Sequence, residues 1–380
     1  MLSRYLQALA LLVGTIIGVG VFALPFLISR TGFLVGAAEI AALAAVVTLI
    51  HLMYGDIVVT TPERHRLPGY ARSYLGPVWG RISAFSYLLE LTGTLVIYIL
   101  LGSVFLTTFV SLLFPAFSYP AAVGIFFFAG LLLFFFDSGL STGVEGWLTF
   151  FLVLVMAIIF AAGVRLGTLE FLKTFDPRNI PLPYGAILFA LTGTVVIPRT
   201  YEAFRGDHQR FRRLIIIGTA IPALLYLGFV FAVLSASPAG VSPEAIRGMT
   251  PVLGDSILIL GGLVGFLATI TSFIGVGLSY KGLLQFDFGF DGRWSWVLAS
   301  VVPFIFVLIG VSDYIQVIGL IGAIAIGFAN IGIVRIWLRL PRHELVSLFP
   351  RWLSWLLVGV FSAGILYQAL QFIGVGIFVY

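Results

Sequence analysis

The chain has 380 residues, 60% of them hydrophobic and only 10% charged. Soluble domains carry about 25% charged residues, so a surface this poor in charge excludes a water-soluble fold and must face lipid. The net charge of +5 is then a record of membrane topology rather than a nucleic-acid surface. The absence of cysteine removes disulfides, thiolate metal sites and cysteine nucleophiles.

A chain in lipid must pair its backbone polar groups internally, which leaves helix bundles or closed barrels. The apolar runs are about 20 residues or longer and do not alternate, so they are read as helices. Eleven spans are predicted, near 5–29, 34–60, 79–113, 120–136, 143–164, 184–205, 212–236, 252–284, 294–311, 314–338 and 352–376. Several exceed the ~20 residues that a bilayer needs, which predicts tilt or projection beyond it. The first stretch is read as a span and not a signal peptide: only Arg4 precedes it, and it runs on with no clear cleavage site.

The first span contains Gly14-Thr15-Ile16-Ile17-Gly18-Val19-Gly20 and then Pro25. Glycine weakens a helix by roughly 1 kcal/mol per site and proline breaks it, so this span is predicted to be interrupted. His51, in the second span, has no visible partner in the sequence and is read as packing. Glu90, in the third, is read as the one carboxylate deep in a helix. Burying its charge costs at least ~2.5 kcal/mol at the bilayer centre, so it is expected to face the interior. Thr94 and Tyr98 follow at i+4 and i+8 and would share its stripe. Phe126 to Phe128 and Phe134 to Phe136 are expected to face lipid or to pack.

The sixth span reads Leu191-Thr192-Gly193-Thr194-Val195-Val196-Ile197-Pro198. It shares Leu-x-Gly-Thr and two β-branched residues with Leu12-Val13-Gly14-Thr15-Ile16-Ile17, 179 residues earlier, and each segment opens a block of five spans. Paired interrupted spans in matching positions point to an inverted-repeat transporter with its site at the breaks, although small residues also suit close helix packing. Free amides around Val19 and Gly20, at the positive end of a half-helix, suit a carboxylate.

Orientation is read from Lys and Arg. Of 21 such residues, Arg30, Arg165, Lys173, Arg178 and Arg247 fall on one side. The other sixteen, including Arg4, Arg64, Arg205, Arg342 and the cluster Arg210, Arg212 and Arg213, fall on the opposite side. This predicts a cytoplasmic N-terminus and, with eleven spans, a C-terminus outside.

The run from Gly14 to Pro25 (Gly-Thr-Ile-Ile-Gly-Val-Gly-Val-Phe-Ala-Leu-Pro) resembles the first helix of the amino acid/auxin permeases and hydroxy/aromatic amino acid permeases. Both sit in the amino acid–polyamine–organocation superfamily. Leu67-Pro68-Gly69-Tyr70-Ala71 with Tyr74-Leu75-Gly76 resembles their second-to-third helix loop, and Thr271-Ser272-Phe273-Ile274-Gly275-Val276 their eighth helix. The resemblance spans nearly the whole chain and implies an all-α polytopic membrane protein of the LeuT fold. That fold has five plus five inverted helices and one extra, with helices 1 and 6 broken. It would be a single transmembrane domain with repeat one at about 5–164, repeat two at about 184–338 and the extra helix at about 352–376.

The resemblance implies that Gly18, Val19 and Gly20 hold a substrate α-carboxylate, with Thr192, Gly193 and Thr194 opposite and Tyr98 near the aromatic residue that closes over substrate. It also implies a sodium site on Ala268, Thr271 and Ser272 with carbonyls of Gly14 and Ile17. The residues themselves leave the ordinary alternative open, since Thr and Ser in helices bond back to their own carbonyls. Proton-coupled relatives place a lysine in the fifth helix; residues 143–164 contain none, which favours sodium. Glu90 is the coupling candidate if protons drive the cycle.

The expected function is secondary active transport of neutral amino acids by alternating access, coupled to sodium, in a prokaryotic cytoplasmic membrane. The alternatives are proton coupling through Glu90 and an amino acid sensor on the same fold. Apart from the coupling ion no cofactor is expected, and the partners are a small-molecule substrate and the bilayer, not nucleic acid. His-Glu-x-x-His, Gly-x-Ser-x-Gly and Walker A sequences are absent, which argues against a membrane enzyme and against ATP-driven transport.

Overall fold

The computed structural model describes residues 2–63, 65–135, 141–204, 206–341 and 350–373. Arg64, Arg205, Arg342, Phe136 and the end of the eleventh predicted span lie outside the described residues. The described residues form helices and connecting turns, with no strand among them.

In chain order the helices are α1 (Leu2–Ile16), α2 (Leu24–Thr31), α3 (Phe33–Thr60), α4 (Leu67–Leu75), α5 (Pro77–Leu113), α6 (Tyr119–Phe135), α7 (Ser141–Leu166) and α8 (Tyr184–Leu191). They continue with α9 (Ile197–Tyr201), α10 (His208–Ala236), α11 (Thr250–Leu253), α12 (Ser256–Phe286), α13 (Gly292–Leu308), α14 (Tyr314–Leu320), α15 (Gly327–Trp337) and α16 (Arg351–Phe372). Among the described residues, seven stretches are long and apolar enough to cross a membrane: Arg4–Thr31, Phe33–Thr60, Pro77–Leu113, His208–Ala236, Ser256–Phe286, Tyr314–Trp337 and Arg351–Phe372. The broken segment α8–α9, the 17-residue helices α6 and α13 and the 26-residue α7 occupy the other four predicted positions. The chain is an integral membrane protein. At 37 residues and 1.5 Å per residue, α5 is about 55 Å long, well beyond the ~30 Å hydrocarbon core, so it must tilt or project.

The two halves match in element length as well as order. The helices α3 and α10 have 28 and 29 residues and begin at 33 and 208; α6 and α13 have 17 each. Glycines bring the broken helices against their neighbours. A Cβ on Gly185 would strike Gly319, and one on Gly322 would strike the Gly185 carbonyl. That contact fits the π-helical turn Ile321–Ile326 of the tenth span directly against α8. Such backbone-to-backbone approach is how helices associate where lipid supplies no hydrophobic drive.

Each end of the bundle is tied by polar contacts. On one face, the connection between α7 and α8 closes on the end of α2: Thr31 Oγ1 donates to Asn179 O at 3.0 Å and Asp176 N to Thr31 O at 3.2 Å. On the opposite face, Arg66 pairs with Asp287 at 3.2 Å. Toward that face Trp337 Nε1 donates to Asp56 Oδ2 at 2.9 Å, with both side chains fully buried. Asp56 and Glu39 both lie in α3, so Glu90 is not the one carboxylate inside a span. Four residues from the end of a long apolar helix, Asp56 is easily taken for a terminal group.

Candidate functional site

The site is built on two interruptions. Helix α1 ends at Ile16, Gly18 is extended (φ −109°, ψ −172°), Val19–Ala23 form a 3₁₀ turn, and α2 begins with Pro25 in its first turn. Helix α8 ends at Leu191, Thr192 is extended (φ −70°, ψ 135°), Thr194–Val196 form a 3₁₀ turn, and α9 begins with Pro198 in its first turn. Proline lacks an N–H and is tolerated in the first turn, so each proline fixes where its second half-helix starts.

This shifts the expected register by one helical turn. The Leu-x-Gly-Thr match pairs Gly14 with Gly193, yet α1 runs on through Gly14 and Thr15. The true counterparts are Ile16 with Leu191 and Gly18 with Gly193, each 175 residues apart. A single glycine costs a helix about 1 kcal/mol, and tertiary packing overrides it.

The breaks meet across the core. A Cβ on Gly20 would stand 2.9 Å from Phe189 Cδ1 and 3.2 Å from Ala190 Cα; one on Gly193 would stand 2.7 Å from Ile16 Cγ1 and 3.2 Å from Leu12 Cδ1. Each glycine is the contact surface that lets one break lie on the helix entering the other. Gly18 differs: the nearest atom to its Cβ position is Ile16 O at 4.0 Å. Open space therefore adjoins Gly18, whereas Gly20, expected to leave room for a ligand, is packed. The first hydrogen bond of the 3₁₀ turn runs from Val21 N to Gly18 O at 3.5 Å. The amides of Val19 and Gly20 precede it, at the positive end of the turn that continues into α2.

Two buried side chains absent from the predicted site hold the breaks. His51, from α3, is fully buried; its Nε2 accepts from Gly193 N at 3.1 Å and its Nδ1 lies 3.0 Å from Thr219 Oγ1. The Thr219 hydroxyl donates to Ile215 O at 2.9 Å. An Nε2 that accepts from an amide carries no proton, so the pattern assigns the neutral Nδ1–H tautomer donating to Thr219. The expectation that His51 only packs is corrected. Tyr226, from α10 and fully buried, places its hydroxyl 2.6 Å from Ile16 O and 3.0 Å from Ala190 O. Gly18 N donates to the same Ile16 carbonyl at 2.7 Å.

The predicted ion site is only partly assembled by direct bonds. Ile17 N, bonded to Val13 O at 2.8 Å, is the last amide to join the α1 ladder. The Gly14 and Ile17 carbonyls thus lie past its last rung and are available to a ligand. In α12, Thr271 Oγ1 donates within its own helix, to Leu267 O at 2.9 Å and Ala268 O at 3.1 Å. That is the ordinary back-bonding, and it leaves the oxygen's acceptor side free. Ser272 is half-buried and Ala268 buried on the same helix. Among the described residues no three His, Asp or Glu side chains gather to hold a metal. Glu90 is half-buried, and among the described residues its carboxyl makes no hydrogen bond or ion pair. Thr94 donates to the Glu90 carbonyl at 2.7 Å and so points back along α5.

Residues 1–334 match the tryptophan/tyrosine permease family. The chain belongs to that family. The permease is therefore a membrane transporter and not an enzyme, and its match reaches into the tenth span. No curated protein matches its sequence. Among solved structures it is similar to the nucleobase-cation-symport-1 family transporter Mhp1 in a closed conformation with bromovinylhydantoin bound. That likeness has 16% identity and a TM-score of 0.64, covering 95% of this chain and 90% of the other. It is also similar to the Eremococcus coleocola manganese transporter in complex with an aromatic bis-isothiourea substituted compound, at 14% identity and a TM-score of 0.69, covering 98% and 88%. At these identities the likeness establishes the fold, which is of the LeuT type as expected. The permease is of this fold without being assigned to either of the two families named in the sequence reading.

Proposed function

We propose that this permease is a secondary active transporter of aromatic amino acids, working by alternating access with the substrate held between the two breaks. The observation that carries the reading is the open space at Gly18, beside the Val19 and Gly20 amides, within a tryptophan/tyrosine permease sequence; Thr192 and Thr194 of the second break are proposed to complete the site. The amides suit the α-carboxylate, and Tyr98 supplies an aromatic face over the ring. Repeat one is residues 5–164 and repeat two residues 184–338. The N-terminus is cytoplasmic and the C-terminus outside, in a prokaryotic cytoplasmic membrane.

Sodium is the proposed coupling ion, on the carbonyls of Gly14, Ile17 and Ala268 and the hydroxyls of Thr271 and Ser272. Neutral oxygens suit a hard monovalent cation, and the two α1 carbonyls lie free of the helix ladder. One observation favours a second reading: Glu90 is a half-buried carboxyl with no bonded partner, as a proton carrier in a membrane requires. Uptake of labelled tryptophan into proteoliposomes decides between them. Accumulation on a sodium gradient at constant pH supports the proposal. Accumulation only on a pH gradient moves coupling to Glu90, and saturable binding without accumulation on either gradient makes the protein a sensor.

A further inference from the structure

His51 and Tyr226 are 175 residues apart, the same separation that relates Ile16 to Leu191 and Gly18 to Gly193. They therefore occupy equivalent positions on α3 and α10, helices of 28 and 29 residues whose starts differ by the same 175. Each reaches out of its own half into the other. His51, in the first half, bonds the break between α8 and α9; Tyr226, in the second, bonds the end of α1.

The chemistry is complementary at each end. The last amide in the α8 ladder is Thr192 N, on Leu188 O at 3.1 Å. The next, Gly193 N–H, is a donor without a helical acceptor, and an imidazole nitrogen with a free lone pair meets it. At the other break the group that leaves the ladder is a carbonyl, Ile16 O, which accepts from Gly18 N at 2.7 Å and, on its other side, from the Tyr226 hydroxyl at 2.6 Å. In hydrocarbon neither group has water to turn to, so each must be satisfied by protein. The different residue types at one repeat position follow from the different group that each break sets free.

We propose that His51 and Tyr226 are reciprocal positioning residues: each repeat caps the broken helix of the other, which fixes the spacing of the two breaks around the substrate. Neither touches the substrate. Tyr226 also lies 3.0 Å from Ala190 O, so its one proton is shared between the helices that enter the two breaks. A relative shift of α1 and α8 must repartition that bond.

The test uses full-length protein in proteoliposomes and amide hydrogen exchange, comparing wild type with His51→Leu, His51→Gln and Tyr226→Phe. Gln retains an acceptor near the Nε2 position, and Phe keeps the ring while losing only the hydroxyl. The expected result is at least about tenfold faster exchange across residues 190–196 in His51→Leu, with wild-type protection in His51→Gln. Tenfold corresponds to 1.4 kcal/mol. The uptake KM for tryptophan should rise about tenfold in His51→Leu and Tyr226→Phe, with a maximal rate within about twofold, and return to within about twofold in His51→Gln. Unchanged exchange and KM in His51→Leu and Tyr226→Phe would overturn the proposal, as would a Gln variant no better than Leu. The uptake arm rests on the transport reading above and the exchange arm does not. A wild type that carries no tryptophan refutes that substrate and leaves the caps to be judged by exchange alone.

Discussion

Gly18 and Gly20 are two residues apart, yet one adjoins open space and the other is packed, and alanine tests the substrate role proposed for the open space. At Gly20 the added methyl meets Phe189 Cδ1 at 2.9 Å and the Ala190 Cα at 3.2 Å. The phenyl ring can turn, but the α8 backbone cannot yield without moving the second break. Overpacking of this kind costs typically about 1–3 kcal/mol. With an unfolding entropy of about 2 cal/mol/K per residue, a chain of 380 residues loses about 1 °C of Tm per kcal/mol, so Gly20→Ala should melt roughly 1–4 °C below wild type. At Gly18 the methyl meets nothing closer than 4.0 Å and φ is −109°, which any residue adopts. Gly18→Ala should melt with wild type while its methyl occupies space beside the carboxylate site, raising the tryptophan KM about tenfold or more. Thermal melts in detergent and proteoliposome uptake read the two effects separately. Equal melting of both variants, with wild-type KM for Gly18→Ala, would refute the assignment of the open space to substrate.

Three further outcomes follow from the same geometry. Tryptamine, which lacks the carboxylate, should compete with tryptophan uptake at least about tenfold more weakly than tryptophan itself, since a charge-assisted hydrogen bond contributes roughly 1.5–3 kcal/mol; equal competition removes the carboxylate role of the Val19 and Gly20 amides. Thr271→Ala should raise the sodium concentration for half-maximal uptake about tenfold, the loss of one ligand oxygen being worth about 1–1.5 kcal/mol, and an unchanged sodium curve sinks the site. Trp337→Phe removes the indole donor to buried Asp56 and should cost about 1–3 kcal/mol of stability, read as a lowered Tm; a wild-type melt would mean that Asp56 is satisfied elsewhere.

The spans were legible because lipid imposes a demand that the sequence states directly: long apolar runs between charged or Gly/Pro-rich turns. The existence of two breaks was legible for the same reason, since Pro25 and Pro198 cannot sit inside a regular helix. Their register was not. Gly14 and Gly193 share a motif, but whether a glycine bends a helix depends on what packs against it. Gly14 is carried through by α1, while Gly18 is released. Gly20 was misjudged for a related reason: the sequence reveals a missing side chain but not whether Phe189 or a ligand fills the space it leaves.

That one-turn error also hid the residues that hold the breaks. At an offset of 179, His51 pairs with Val230 and stands alone in an apolar helix; at 175 it pairs with Tyr226, and the two become a repeated feature. The signal was present as two large polar side chains inside otherwise apolar spans, but it could be read only in the correct register. What sets that register is the position of the prolines and not the glycine motif. The breaks ahead of Pro25 and Pro198 take one carbonyl, Ile16 O, and one amide, Gly193 N, out of the helix ladder deep in the bundle. Those two groups, unlike the glycines, have no alternative to being bonded by protein. In a transporter of this kind, the polar residue one span beyond each broken helix is therefore better evidence for the location of the opposite break than the sequence of the break itself.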